Sequence, residues 1–348
     1  MTTPSSAPAP APVPKRFDVF VMCNALYDLQ AEVSEDLLAE VGLVKGGMTL
    51  LSDAEQKAIL PRVYRHLVNT ESGGSGANTA IGIAQLGGTA CFTSRVGPDN
   101  HGRQYHEGLA RQGVQPNLGE GDSDAGDTGV CLILITPDAQ RTMGTYLGQA
   151  RELSPPDVRA DDIAASRYVY ITGYLWDTPT QKDAVLAAME AAKAAGVPVA
   201  FSLSDPFCVA RHREDFLALL EKYVDVVFAN RDEALAITGA ATVEAAADAL
   251  AQRTGGLAVI TLDKDGSLLA RGGERHTIPV HTVAAVDTTG AGDMYAAGIL
   301  YGLTRGMPLG ETGRVASHVA GQVVARVGPR LPALDLDAVR RFAAQYIG

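Results

Sequence analysis

The chain predicts an α/β fold, with a mainly parallel central sheet covered by helices on both faces and a small β-rich piece beside it. Three observations point there. From about residue 160 apolar strand-like runs alternate with helical stretches, which is the pattern of strand–helix–strand units. The opening run Phe17-Asp18-Val19-Phe20-Val21-Met22 is apolar at five of its six positions, as in a strand buried on both faces. A separate pair of β segments, Gly129 to Thr136 and Arg141 to Leu147, is joined by the turn signal Pro137-Asp138-Ala139-Gln140.

The elements follow in order. Met1 to Pro14 is rich in Ala, Pro and Ser, without the apolar core or basic start of a signal peptide, and reads with Lys15 and Arg16 as a disordered tail over 1–16. The first strand ends at the polar cluster Asn24 to Asp28. Strand-like pieces around Gly46-Gly47 fill residues 29–52, and Asp53 starts a helical pattern toward Leu67. A helix opens near Gly76, Thr89 to Val96 reads as a strand, and another helix runs to Arg111. Beyond the β pair, strands are expected at Tyr168–Thr172, Pro198–Leu203, Val224–Phe228 and Leu257–Leu262, with helices including Lys182–Ala195 and Val243–Arg253. In such sheets ligands bind beyond the carboxyl ends of the strands, where Asn24 to Asp28, Ser202 to Asp205 and Asn230 to Glu233 fall.

The length of 348 residues and an apolar share of 46% suit one large domain with an accessory piece, or two domains. The net charge of −11 opposes binding to nucleic acid, because phosphate backbones are held by a surplus of Lys and Arg. No apolar run approaches the roughly 20 residues of a membrane helix. Cys23, Cys91, Cys131 and Cys208 lie far apart, with no metal-ligand or redox spacing, which fits core thiols in a reducing cytoplasm.

The chemistry concentrates in two glycine-rich helix starts. In Asp287-Thr288-Thr289-Gly290-Ala291-Gly292-Asp293, the glycines let the chain turn so that the unpaired amides of the following helix point at one place. Those amides and the helix dipole favour an anion. A carboxylate in the same turn repels an anion unless it has work to do, and proton removal is such work; helix capping is the plainer alternative for Asp293 and the threonines. The other start, Ser72-Gly73-Gly74-Ser75-Gly76-Ala77-Asn78, allows close backbone approach and projects Asn78 from the first turn, suited to hydroxyl recognition or to an ordinary loop. No Gly-Lys-Ser/Thr follows, so it is not a Walker loop. Asp28 can accept two hydrogen bonds from neighbouring sugar hydroxyls, and Asn24 can add a third contact.

Together these motifs resemble the PfkB or ribokinase-like family of carbohydrate and nucleoside kinases. The early signature runs from Gly73-Gly74-Ser75-Gly76-Ala77-Asn78 through Leu86-Gly87-Gly88 to Arg95-Val96-Gly97-Pro98-Asp99, and the late one is Asp287 to Asp293. The resemblance implies a ribokinase-like three-layer α/β/α sandwich, with 17–28, 53–113 and 150–348 in the large domain and 29–52 and 114–149 in a β-rich lid. It implies transfer of the ATP γ-phosphoryl group to a primary hydroxyl, with Asp293 as catalytic base and Gly290, Ala291 and Gly292 as the anion hole. It places Gly73, Gly74, Ser75 and Asn78 with the acceptor, and Asn230 and Glu233 as the organisers of Mg²⁺ through water, unless Asn230 is simply a helix cap. Thr261 and Gly266 resemble the turn that approaches ATP, although Asp263 stands where many members have glycine. His318 falls in the helix that borders adenine in the family, or is a surface histidine.

Four segments resemble the adenosine-kinase branch: Asn24 to Asp28, Arg141-Thr142-Met143 with Thr145 to Gly148, Gly173-Tyr174-Leu175-Trp176, and Ser202 to Phe207. They imply phosphorylation of adenosine to AMP, as in purine salvage. Inosine, guanosine or a free sugar such as ribose, fructose or 2-keto-3-deoxygluconate is the alternative, and a nucleoside-binding protein without catalysis is a rival. Tyr174, Trp176 and Leu147 are candidates to face a base, although the single tryptophan also suits a core. Arg141 suits either a transferring phosphate or a solvated hairpin. A monovalent cation and a monomer or homodimer both remain open within the resemblance.

Overall fold

The computed structural model describes residues 13–121, 126–138, 140–331 and 336–345. Most of the tail expected over 1–16 therefore lies outside the described residues; 13–16 are exposed and irregular, and Ala139 of the expected turn also lies outside.

The chain begins with β1 (Phe17–Met22), passes at once to β2 (Leu26–Glu32), and continues through α1 (Glu35–Val41), β3 (Met48–Leu50), α2 (Asp53–Val63) and β4 (Leu67–Gly73). Next come α3 (Ser75–Gln85), β5 (Ala90–Val96), α4 (Asn100–Arg111), β6 (Val114–Glu120), β7 (Gly129–Ile135) and β8 (Arg141–Tyr146). The regular alternation expected from residue 160 follows as α5 (Ala160–Ala164), β9 (Ser166–Thr172), α6 (Pro179–Ala195), β10 (Val199–Ser202), α7 (Pro206–Lys222), β11 (Val226–Asn230), α8 (Arg231–Thr238), α9 (Val243–Thr254) and β12 (Leu257–Thr261). The chain closes with β13 (Ser267–Arg271), β14 (Glu274–Ile278), α10 (Ala291–Thr304), α11 (Leu309–Val324) and α12 (Leu336–Ala344).

Nine strands form the large sheet in the order β14-β13-β12-β11-β10-β9-β1-β5-β6. The pairs from β12 to β6 are parallel and the two at the β14 edge antiparallel. Alternation along β1 sends Val19 and Val21 into one core, with α3 and α10, and Phe20 and Met22 into another, with α6 and α7. This makes three layers, and it explains why the central strands are apolar at nearly every position.

The small sheet has five strands in the order β3-β8-β7-β2-β4. Tyr27, Leu29 and Ala31 of β2 share a core with Leu38 of α1 and with Ile59 and Val63 of α2. The opposite face of the sheet, by alternation and register, carries Asp28, Glu71, Cys131, Ile133, Met143 and Thr145.

Two whole strands and the start of β2 sit elsewhere than the lid boundaries expect; Leu26–Asp28, expected in the large domain, pairs within the small sheet. β6 pairs in parallel with β5 and belongs to the large sheet, although 114–149 was expected in the lid. β4 pairs with β2 and belongs to the small sheet, although 53–113 was expected in the large domain. Residues 29–52 also contain the helix α1 rather than strand pieces alone, because Ser34 caps it and Gly42 ends it in a left-handed conformation. All four cysteines are free and buried. Among the described residues no single helix is long and apolar enough to cross a membrane.

Candidate active site

Because β1, β9, β10, β11 and β12 are parallel, the residues that follow them gather along one edge. α10 starts at the same site, with Gly290 at its N-cap in a left-handed conformation (φ 75°). A side chain at Gly290 would run into Pro329, about 2.6 Å from where its Cβ would stand. Of the amides expected as an anion hole, that of Ala291 donates to the Thr288 carbonyl (3.2 Å), a turn within the loop. Those of Gly290, Gly292 and Asp293 have no protein acceptor among the described residues, and the space beside Gly292 is open.

Asp293 is partly buried and each of its carboxylate oxygens accepts one hydrogen bond: Ser75 Oγ donates to Oδ1 (2.6 Å) and Asn78 Nδ2 to Oδ2 (3.0 Å). Burial pushes its carboxyl above the ordinary range, opposed by those two hydrogen bonds and by Arg330. Asn78, expected to meet an acceptor hydroxyl, instead spends its amide inside the protein. Its Oδ1 accepts from Nε and a terminal nitrogen of Arg330 at 3.3 and 3.2 Å, and another terminal nitrogen of Arg330 reaches Glu71 (2.9 Å).

Asp28 lies on the small sheet beside these groups, and burial pushes its carboxyl up to about 8, with Arg330 opposing and Glu71 and Asp293 adding to the rise. Gly73 makes room for it, since a methyl at Gly73 would overlap the Asp28 carboxylate. Gly74 (φ 89°) caps α3 and passes against the Asn24 carbonyl. Asn24 is buried and its side chain is held by Gln181 (2.6 Å), so it braces the loop after β1 rather than offering a free contact.

The four residues Gly173–Trp176 form one 3₁₀ turn, which separates two side chains expected to act together. Tyr174 stays at the sheet edge, its hydroxyl donating to the Ser204 carbonyl (3.3 Å), and burial raises its pKa, with the charges of Asp205 and then Asp293 adding to the rise. Trp176 corrects the expectation of a stacking platform. It is buried against Phe216, on the opposite face of the sheet from α10, and its Nε1 donates to Asp215 (2.7 Å). Leu147 is partly buried just after β8. Arg141, at the start of β8, binds Asp287 (2.8 Å) and Thr289 (3.1 Å), linking the small sheet directly to the loop before α10.

At the end of β11, Asn230 and Glu233 form a reciprocal capping box at the start of α8. Glu233 is nonetheless buried, and burial pushes its carboxyl up to about 7, with Asp205 and Asp232 adding to the rise. Thr261 ends β12 opposite Asn230, and Gly266 closes the turn into β13. Asp263 in that turn adopts φ 53°, a left-handed conformation that glycine takes without cost, so the departure from the family pattern leaves a strained backbone at the same place. His318 stacks on Phe342 (4.0 Å between centroids) and meets His281 edge-on, and burial lowers its pKa to about 4. It is a packed neutral ring rather than a surface histidine.

The motif reading missed Gly328, Pro329 and Arg330. These consecutive residues touch Asp287, Gly290 and Asn78 respectively. A cleft of about 440 Å³ runs between β4 and this segment, with Glu71 and Arg330 in its wall.

Residues 54–336 match the model of the pfkB family carbohydrate kinases. The chain is 28% identical over 333 residues to an adenosine kinase of Saccharomyces cerevisiae, covering 90% of this chain and 96% of the relative. It is 30% identical over 262 residues to a 5-dehydro-2-deoxygluconokinase of Shouchella clausii (73% and 80% covered) and over 243 residues to a fructokinase of Klebsiella pneumoniae (68% and 78%). Among solved structures it resembles a probable sugar kinase from Rhizobium etli (TM-score 0.86, 35% identity, 94% and 98% covered). It also resembles the adenosine kinase from Sinorhizobium meliloti (TM-score 0.83, 39% identity, 94% and 99% covered). With its ribokinase-like three-layer fold and both glycine-rich helix starts in place, the chain belongs to the pfkB family of carbohydrate kinases, phosphotransferases that act on a hydroxyl acceptor.

Proposed function

We propose that the chain transfers the γ-phosphoryl group of ATP to the 5′-hydroxyl of adenosine, giving AMP and ADP. The observation that carries this reading is the placement of two kinds of surface on one sheet face. Asp28 suits the ribose hydroxyls, while Cys131, Ile133 and Met143 beside it suit a flat apolar base. A free sugar has no such base to cover. The likeness to adenosine kinases from two organisms supports the same acceptor, and the likeness to sugar kinases supports the alternative.

In this reading Asp293 accepts a hydrogen bond from the 5′-hydroxyl with lone pairs that Ser75 and Asn78 leave open. The hydroxyl oxygen bonds to the γ-phosphorus as the bridging bond to the β-phosphate breaks, and the proton passes to Asp293. The transition state is loose, so orienting the hydroxyl matters more than base strength. Charge on the transferred group meets the amides of Gly290, Gly292 and Asp293 at the start of α10. The small sheet acts as a lid that excludes water.

Glu233 and Asp205, with Asn230, would hold Mg²⁺ through water. Glu233 is buried and the neighbouring Asp205 charge adds to the rise in its pKa, a repulsion that a cation would remove. When bound, the ion neutralises phosphate charge.

The test is ADP release from MgATP against adenosine, inosine, guanosine, ribose, fructose and 2-keto-3-deoxygluconate, with Asp293→Asn alongside. Adenosine-dependent turnover lost in the variant is the expected result. Preference for a free sugar refutes the acceptor, and tight adenosine binding without turnover refutes catalysis.

A further inference from the structure

We propose that Arg330 is a positioning residue for the phosphoryl-transfer reaction, holding Asn78 so that its amide presents Asp293 to the acceptor, and tying that arrangement to the small sheet through Glu71. The inference rests on Asp293 being the base, and adds to it a residue that no motif of the chain marks.

Asn78 has one oxygen and one NH₂ group, and they serve opposite partners. Two guanidinium nitrogens of Arg330 take the oxygen, at 3.2 and 3.3 Å, which turns the NH₂ toward Asp293 Oδ2 at 3.0 Å. A rotated amide would set its oxygen against a carboxylate and its NH₂ against a guanidinium. Arg330 thus selects one orientation of Asn78, and that orientation selects one plane for the Asp293 carboxylate. Ser75 holds the other oxygen.

The remaining terminal nitrogen of Arg330 binds Glu71 Oε2, while Gln30 donates to Glu71 Oε1 at 3.2 Å. Both partners belong to the small sheet. The Arg330 side chain is 10% exposed, so this pair is held largely out of water. One planar fork therefore spans β4, α3 and, through Asn78, α10. Lysine cannot replace it, because a single ammonium on a flexible stem does not hold two acceptors in fixed directions.

Electrostatics give a second handle. The titratable and charged groups facing Asp293 are Arg330, Asp28 from β2, Cys23 after β1, Tyr170 from β9 and Tyr174 from the following turn. Arg330 is the cation that pulls the Asp293 carboxyl down against its burial. Loss of the charge raises that carboxyl, so the acid limb of the rate profile moves to higher pH.

The experiment measures kcat, KM for ATP and the pH profile of Arg330→Ala and Arg330→Lys, with Asp293→Asn as reference. Arg330→Ala is expected to lose about 100-fold in kcat, the scale of an ångström-level misplacement, with little change in KM for ATP. Its acid limb shifts upward, and added guanidinium entering by the cleft beside Glu71 restores part of the rate. Arg330→Lys keeps the limb in place and still loses kcat; it decides the matter if the alanine variant does not fold. Wild-type kcat in either variant overturns the proposal, as does lost kcat with an unshifted limb and no rescue in Arg330→Ala, which marks Arg330 as structural. An active Asp293→Asn enzyme overturns the base assignment and this inference with it. An inactive Asp293→Asn beside a fully active Arg330→Ala overturns the role of Arg330 alone.

Discussion

Adding one methyl group at Gly73 should disable Asp28 without touching its chemistry. The Cβ of Gly73→Ala would overlap the Asp28 carboxylate, and Asp28 is buried at 7% exposure, with little room to yield. Restoring ordinary contact requires the carboxylate to move by about 1 Å or more, a displacement that costs on the order of 100-fold when it falls at a reacting centre. The two hydroxyl hydrogen bonds assigned to Asp28 set an upper limit of about 1–3 kcal/mol, at about 0.5–1.5 kcal/mol for each bond to a neutral carboxyl. Losing both lowers kcat/KM for adenosine by roughly 5- to 100-fold. Overpacking should also cost about 1–3 kcal/mol of stability. The assay is kcat/KM for adenosine in Gly73→Ala, Asp28→Ala and the double variant. Since the methyl acts through Asp28, the double variant should be no worse than Asp28→Ala. A Gly73→Ala enzyme within about threefold of wild type, or a double variant that loses the sum of both defects, refutes the reasoning.

Two further outcomes follow from the same neighbourhood. The Asp28 carboxyl ionises near 3.8 when unfolded and at about 8 when folded, so the stability its proton contributes at low pH is lost as pH rises through that interval. Asp28→Asn removes this slope, and its melting temperature should gain on wild type between acid and alkaline pH; parallel curves would count against a buried neutral carboxyl. Arg141 and Asp287 form an ion pair with side chains 14% and 9% exposed, so Arg141→Met and Asp287→Asn should be non-additive in unfolding by about 1–2 kcal/mol. Additive losses would mean that the pair does not join the small sheet to the α10 loop.

Motifs were legible where the chemistry is local. Asp293 and Asn78 each sit in the first turn of a helix behind a glycine, so a short run of sequence carries the whole signal. Arg330 was not legible, because Asn78 and Glu71 lie 252 and 259 residues away and only the fold joins them. β4 escaped notice because it is an edge strand whose middle is exposed and polar, without alternation. β6 carries Pro116, which an edge strand tolerates, and was expected in the lid because nothing local shows which sheet it joins. Trp176 misled for a different reason. Tyr174 and Trp176 share a face only if the strand continues, and the chain turns into a 3₁₀ helix at Gly173.

Every crossing between the two sheets occurs at one end of the small one. β1 enters it at Leu26, β4 leaves it at Gly73, β7 enters at Gly129 and β8 leaves at Tyr146, and these residues form one row or its immediate neighbour. In the proposed lid motion that row would be the fulcrum. Asp28 is two residues along β2 from it, about 7 Å, while Glu32, aligned through Ile135 with Arg141, is six residues along, about 20 Å. A rigid swing about the row therefore carries Arg141 about three times as far as Asp28. In that motion the acceptor's anchor would stay close to its working position while the far end opened for exchange of ligands, so the lever arm would divide one motion into a steady grip and a long stroke.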